Sequence, residues 1–333
     1  MISTTDKIRV GVLGCSELAA RRFLPAIVKE ERTTLRAVGN KDMAVLHRFF
    51  PDADCEMMSY EDLIEQQDID LIYIALPSYL HERWTLRALE SGKHVICEKP
   101  LGLSYESVCR MTAYAEQRRL LLYGSMRHLH HPQHAAVKNI IASGRIGDIR
   151  ILRAGYGSPP KKLEKIGMRS EWGRSIFFEV IRYPLSLVSY VLDSAIAECA
   201  GYTLIRDGLP TGIHGHALTR HNAVLDLSIT FAQEREAFYE IVGERGTIRL
   251  DHAYAPPPDM ENLIRITSNA RHATVVVPQA DQFALMIDAV CSAIDSGNDF
   301  HQHYEDAKRL AFEAEQLKTG CKEVQVDDRS DVR

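Results

Sequence analysis

No apolar run in these 333 residues approaches the roughly 18 that a membrane-spanning helix needs, which argues against a transmembrane protein. Met1 to Val10 lacks the apolar core of a signal peptide and leads directly into a strand. Cysteines are few and never in Cys-x-x-Cys spacing. The seven, at 15, 55, 97, 109, 199, 291 and 321, are odd in number, and several fall in apolar runs where thiols act as small hydrophobes. A reduced, cytoplasmic protein is expected. No basic stripe is present, because the net charge of −5 comes from interspersed charges of both signs, so nucleic acid is not expected as a partner. Internal repeats and low-complexity tracts are also lacking.

What is present is an ordinary globular composition, 45% apolar and 26% charged, in a chain long enough for two domains. Ile8–Gly14 reads as a short strand ending in a glycine turn, and Glu17–Lys29 continues with helical spacing. A ring at Pro25 would meet the Arg21 carbonyl, so a break is expected there, with Pro25 opening a second helical piece. Strands follow at Leu35–Val38, Leu71–Leu76, His94–Cys97 and Leu120–Tyr123. Between them lie helices around Met43–Phe50, after the Ser59–Asp62 capping box, at His81–Ser91 and at Ser104–Arg118. This alternation predicts a Rossmann domain with a doubly wound parallel sheet over residues 1–124. Beyond it come helix Gln133–Ala142, strand Ile149–Ala154, a polar loop Gly157–Trp172 and a helix over Ile176–Leu192. Alternating strands then run to about residue 276, and helices Gln282–Ser296 and Glu305–Leu317 close the chain. Residues 125–333 are therefore expected to form an α+β domain with a mainly antiparallel sheet, for substrate and oligomerisation.

The turn after the first strand sets Gly14, Ser16 and Ala19 against the G-x-G-x-x-[GA] fingerprint. Gly14 permits the tight turn, and small side chains at 16 and 19 let backbone approach a pyrophosphate at a helix N-terminus. Ser16 stands where a second glycine is usual and offers a hydroxyl to a phosphate oxygen. The second strand ends Val38-Gly39-Asn40-Lys41, so the acid that binds a ribose 2′-hydroxyl in NAD enzymes is replaced by Asn40 and a cation. That pair suits a 2′-phosphate and favours NADP, while Asp42 leaves NAD possible.

Three segments carry a family resemblance: the Gly11–Ala19 turn, Leu76-Pro77…His81, and Gly92-Lys-His-Val-Ile-Cys-Glu98-Lys99-Pro100, the most specific motif in the chain. With Gly144-Arg-Ile-Gly147 and Ile241–Leu250, the sequence resembles the glucose–fructose oxidoreductase/inositol dehydrogenase (Gfo/Idh/MocA) family. Arg21-Arg22-Phe-Leu-Pro25, His130-His-Pro-Gln-His134 and Tyr183-Pro-Leu185 look like its branch that reduces 3-keto groups on nucleotide-linked deoxysugars. The resemblance implies that Cys15, Glu17, Leu76, Pro77 and His81 join Gly14, Ser16, Ala19, Asn40 and Lys41 around the dinucleotide. It places Glu98 on the nicotinamide ribose and Lys99 beside the reacting carbon, where an ammonium favours charge developing on oxygen. Tyr183 is the implied proton donor, with Glu179 orienting it from one helical turn away. A tyrosine ordinarily ionises near pH ~10, so a neighbouring cation such as Lys99 would have to assist.

The pattern also departs from the family. Relatives carry a glycine run before the position of Glu179; this chain has Gly173-Arg174-Ser175-Ile176-Phe177-Phe178, and Ile181 follows. Arg174 and the bulky residues reshape a space that glycines would open to substrate. His131 and His134 are candidate sugar contacts. Neither Cys nor carboxylate is interleaved with them to complete a zinc set, so no metal is expected. The resulting expectation is an NADP-dependent reductase of a nucleotide-linked keto-deoxysugar, assembled as a homodimer or homotetramer. An NAD-dependent sugar or polyol dehydrogenase and a non-catalytic dinucleotide-binding sensor are the alternatives.

Overall fold

The computed structural model describes residues 7–14, 16–40, 55–159, 180–231, 233–297 and 299–326. The chain divides into two compact units, Met1–Arg127 with Asp281–Ala311, and His128–Ala280 with Phe312–Arg333.

Among the described residues, the first unit holds a six-stranded parallel sheet of β1 (Ile8–Leu13), β2 (Thr33–Gly39), β3 (Glu56–Met58), β4 (Leu71–Ile74), β5 (His94–Cys97) and β6 (Leu122–Gly124). Their order, β3-β2-β1-β4-β5-β6, is the Rossmann arrangement. The order reverses between β1 and β4, and ligands of such sheets bind outside the carboxyl ends of those strands. Every residue of β4 is buried, as a central strand covered on both faces requires. The break expected at Pro25 is replaced by a widened turn. Ala19–Phe23 winds as a π turn whose last bond runs from the Leu24 N–H to the Ala19 carbonyl, and α1 (Leu24–Lys29) follows with Pro25 in its first turn. The looser winding removes the clash that a proline ring makes with the carbonyl four residues back. Next come α2 (Tyr60–Glu65), α3 (His81–Glu90) and α4 (Tyr105–Arg118). Ser59 and Ser104 cap α2 and α4, accepting the Asp62 and Ser107 amides at 3.0 and 3.1 Å. The helix expected around 43–50 lies outside the described residues.

The second unit contains α5 (Pro132–Ala142), β7 (Ile149–Gly157), α6 (Arg182–Leu192), β8 (Ile196–Arg206), β9 (Leu209–Thr219), β10 (Val224–Thr230), β11 (Glu236–Gly243), β12 (Gly246–Asp251), β13 (Asn262–Ser268) and β14 (Arg271–Val277). With a late strand, β15 (Cys321–Gln325), these form a nine-stranded sheet in the order β14-β13-β12-β11-β7-β10-β9-β8-β15. Only β7/β10 and β8/β15 pair in parallel among them. Side chains alternate in the way one covered face demands: Ile264 and Ile266 are buried while Leu263 and Arg265, which alternate with them, are exposed. Of the helix expected over Ile176–Leu192, the described part begins at Arg182, with Val180 and Ile181 in a turn. Pro184 explains that start. It has no N–H to give the Val180 carbonyl, which takes the Tyr183 N–H at 3.0 Å instead. Most of the expected polar loop, including Lys161, Lys162, Lys165 and Arg169, lies outside the described residues.

The two closing helices are α7 (Gln282–Ser296) and α8 (His301–Gly320). The sequence boundary at 124/125 puts both in the second domain, but residues 281–311 group with the parallel sheet. Phe283 meets the Phe23 ring edge-on at 6.4 Å, Arg32 bonds Asp288 at 2.6 Å, and the Tyr304 hydroxyl donates to the Leu120 carbonyl at 2.6 Å.

Candidate functional site

At the switch point, Gly14 has φ +83°, and a β-carbon there would stand 2.6 Å from the Leu76 side chain and 3.0 Å from the Ala75 carbonyl oxygen. Only glycine lets the β1 turn lie this close to the end of β4. The Gly14 amide donates to the Gly39 carbonyl at 2.7 Å, which ties the turn to the end of β2 beside Asn40. Ser16 is exposed, and its Oγ accepts the Ala19 amide at 3.1 Å. It thus caps the helix and keeps its own proton to donate. Glu17 is exposed and pairs with Arg21 at 3.2 Å, while Ala19 is fully buried under the turn. Cys15 and Lys41, the other residues expected here, lie outside the described residues.

Leu76 is buried and Pro77 exposed after β4. His81 is buried with Nε2 2.8 Å from the Leu76 carbonyl and Nδ1 2.7 Å from the Pro100 carbonyl. Burial lowers its pKa, against the two carbonyls, which favour the protonated ring. Each ring nitrogen thus faces a carbonyl inside the protein; a neutral ring donates to one of the two, and only the protonated ring donates to both. His81 braces the loops after β4 and β5 against each other and, with neither nitrogen left over, does not itself offer one to a ligand.

Glu98 follows β5 and is only partly exposed. Its Oε1 accepts the Tyr73 hydroxyl at 2.7 Å and the Ser125 hydroxyl at 2.9 Å. Its Oε2 accepts the Lys99 amide at 3.3 Å and faces Arg127 at 3.8 Å. Tyr73 is fully buried, stacked on Phe23 at 3.5 Å, and burial together with the Glu98 charge pushes its pKa well above the usual phenol range. It therefore remains a donor. Arg127 lies over the Phe283 ring at 4.8 Å. Tyr73, Ser125 and Arg127 were not among the residues that sequence reasoning selected. The available signal was the single hydroxyl in the apolar run Leu71-Ile-Tyr-Ile74, since a buried tyrosine usually finds a partner for its O–H. Lys99, half-buried, begins the loop beyond Glu98.

In the second unit, Tyr183 sits in the first turn of α6, 9% exposed, among aromatic rings. Tyr254 stacks on it at 5.0 Å and His128 meets it near-perpendicularly at 4.9 Å. His134 is fully buried, with Nδ1 3.1 Å from the Tyr239 hydroxyl and Nε2 3.3 Å from the Gln133 amide nitrogen. Burial drives its pKa down to about 3, so it is neutral. The Gln133 side-chain amide also donates to the Ala253 carbonyl at 2.9 Å, and the Tyr239 ring stacks on His134 at 5.7 Å, so His134 is packed among buried groups. His131 differs. It is 1% exposed, its Nδ1 accepts the Gln133 backbone N–H at 3.3 Å, and its Nε2 has no hydrogen-bond partner. Its proton must then be on Nε2. Glu179 and Arg174 lie outside the described residues. No group of three or more His, Cys, Asp or Glu that could hold a metal occurs among the described residues.

Residues 8–124 match the family model described as the oxidoreductase family with an NAD-binding Rossmann fold, and residues 134–249 match the GFO/IDH/MocA C-terminal domain. A dTDP-3,4-didehydro-2,6-dideoxy-alpha-D-glucose 3-reductase of Actinomadura kijaniata is 31% identical, covering 97% of this chain and 98% of the relative. Its counterpart in Saccharopolyspora spinosa is 31% identical over 87% of this chain and 88% of the relative. Among solved structures, KijD10, a 3-ketoreductase from Actinomadura kijaniata in complex with NADP and TDP-benzene, superposes with a TM-score of 0.90 at 30% identity, covering 97% of this chain and all of that one. That protein has also been solved with substitutions at one lysine and at one tyrosine.

Proposed function

The chain belongs to the GFO/IDH/MocA oxidoreductase family, and we propose that it reduces the 3-keto group of a nucleotide-linked deoxysugar with NADPH. The observation that carries this reading is Glu98, held at the carboxyl end of the central strands by Tyr73 and Ser125 and followed directly by Lys99. Two donors fill Oε1, which leaves Oε2 the oxygen with capacity to accept a ribose hydroxyl. The cradle fits a dinucleotide: Gly14 brings backbone to the switch point, Ser16 keeps a donor for a phosphate, and Asn40 puts an amide where NAD enzymes place an acid. Lys41 would add the charge that a 2′-phosphate needs.

When bound, NADPH supplies the hydride. Lys99 then hydrogen-bonds the ketone oxygen and stabilises the alkoxide that develops there, and Tyr183 gives it a proton. The same reading gives Glu179 the role of orienting Tyr183 and Arg174 that of bounding the substrate space, both beyond the described residues. His131 is the sugar contact we favour over His134. The buried Nε2–H of His131 lacks an acceptor, a state costing about 1–3 kcal/mol that a substrate oxygen would relieve.

We also propose a homodimer or homotetramer built on the exposed face of the nine-stranded sheet. Cross-strand pairing places Tyr202, Leu218, Leu263 and Val276 on that one face, and all four are at least 40% exposed. Arg153–Glu240 at 2.8 Å and the Arg249–Asp251–Arg265 group lie on the same face. A second subunit would cover the apolar residues and keep the charges paired. A cytoplasmic site suits the six described cysteines, all free.

The test is NADPH oxidation against a panel of dTDP-linked 3-keto and 4-keto deoxysugars and free keto-polyols. Turnover is expected with a dTDP-linked 3-keto sugar. Lys99→Met and Tyr183→Phe should each lower it by about 10²-fold or more while NADPH affinity stays within a few-fold. Tight NADPH binding with no turnover of any of these ketones would replace the reductase reading with that of a dinucleotide sensor.

A further inference from the structure

His128 is completely buried, yet no step above uses it. Its Nε2 lies 2.9 Å from Ser186 Oγ, and Ser186 Oγ donates to the Tyr183 carbonyl at 2.7 Å. A serine has one proton. Both contacts are satisfied only when the His128 Nε2–H donates to Oγ and the Oγ–H donates to the carbonyl. The hydrogen-bond chain therefore runs in one direction, from the imidazole to the backbone of Tyr183. The same imidazole touches the Tyr183 ring, at 4.9 Å between centroids and 89° between planes. Tyr254 stacks on that ring at 5.0 Å and 14°, and its own hydroxyl donates to the Phe238 carbonyl at 3.2 Å. One neighbour lies parallel to the phenol and one perpendicular, so the ring plane is constrained in two directions while the serine bridge fixes the backbone that carries it.

Shape alone does not call for a histidine here, because a phenylalanine fills similar space without bringing polar nitrogens into a dry core. What the imidazole adds is a directional donor. We infer that His128, acting through Ser186, is a positioning residue for Tyr183, setting both its ring plane and the first turn of α6. The inference rests on the reading of Tyr183 as the proton donor. Proton transfer needs donor and acceptor within hydrogen-bond reach, and a misplacement of about 1 Å costs up to about 10²-fold in rate.

The experiment is a double-mutant cycle on the full-length enzyme with NADPH and the dTDP-linked keto sugar. His128→Phe keeps a ring and removes the donor. It should lower kcat about 10-fold to 10²-fold while substrate KM and NADPH Kd stay within about two-fold. In a Tyr183→Phe background the same change should cost nothing more, because the group being positioned is gone. Ser186→Ala should reproduce the loss and Ser186→Thr should restore most of the rate, which covers the case in which His128→Phe does not fold. Equal losses in both backgrounds would make His128 a packing residue and overturn the inference, as would wild-type kcat in both His128→Phe and Ser186→Ala. A Tyr183→Phe enzyme with undiminished kcat would instead overturn the underlying reading of Tyr183, and that single variant reports it separately.

Discussion

The Tyr73 hydroxyl donates to the Glu98 carboxylate at 2.7 Å from the middle of a strand whose other side chains are apolar and fully buried. A phenol in that position needs a partner, and a carboxylate at the rim of a sheet needs a fixed direction. Each supplies the other. The Phe23 stack holds the tyrosine from one side, so Glu98 is aimed by the core of the first unit rather than by its own loop.

Removing those donors should therefore weaken cofactor binding. A hydrogen bond to a charged group contributes about 1.5–3 kcal/mol, so Tyr73→Phe or Ser125→Ala should raise the NADPH Kd about ten-fold or more. Fluorescence titration measures it, and wild-type affinity in both variants would show that Glu98 does not hold the cofactor.

Cofactor choice should follow the end of β2. NADPH is expected to bind several-fold more tightly than NADH, Lys41→Ala should erode that difference, and Asn40→Asp should reverse it. Equal or tighter binding of NADH by the unaltered protein would refute the assignment.

Acid should destabilise the fold before it protonates the exposed carboxylates. Burial holds His134 down to about 3 and His94 down to about 4, against about 6.5 in the unfolded chain. Between those limits the unfolded state binds protons that the folded state refuses. The stability is complete above pH 6.5 and is lost as pH falls. Each of the two should cost about 2 kcal/mol between pH 6.5 and 5. Thermal unfolding across that window should show a falling Tm, with a shallower slope in His134→Gln. A Tm independent of pH from 7 to 5 would contradict neutral burial of these rings.

Assembly should depend on the exposed sheet face. Light scattering at micromolar concentration should report a dimer or tetramer, and Tyr202→Glu combined with Val276→Lys should shift it to monomer. A monomeric unaltered protein would refute the proposed interface.

Much of the fold is legible in the residues. The buried strands Leu71–Ile74 and His94–Cys97 appear as uninterrupted apolar runs, and helix Gln282–Ser296 has the boundaries its periodicity suggests. β15 is not legible, because Lys322, Glu323 and Val324 are all exposed along an edge strand and leave no buried–exposed alternation to read. The placement of residues 281–311 is not legible either. An apolar stripe says that a helix is covered, not which sheet covers it. In the site, the glycine turn and Glu98-Lys99 are written as local motifs. Ser125 and Arg127 gain their meaning only when β6 is laid beside β5, and the link from His128 to Tyr183 spans 55 residues of chain that no local pattern connects.

The return of residues 281–311 to the first unit has a consequence for how this protein is made. A ribosome releases the strands of the parallel sheet within the first 124 residues, yet Phe283, which meets Phe23, and Tyr304, which closes on Leu120, arrive more than 150 residues later. Until then one flank of the nascent sheet lacks this cover, in a crowded cell, for about half of translation. The antiparallel unit, by contrast, has all but its last strand in hand before that gap is filled. Cutting the gene at a single point therefore isolates neither half intact, and expressing the first 124 residues alone yields a sheet missing its own cover.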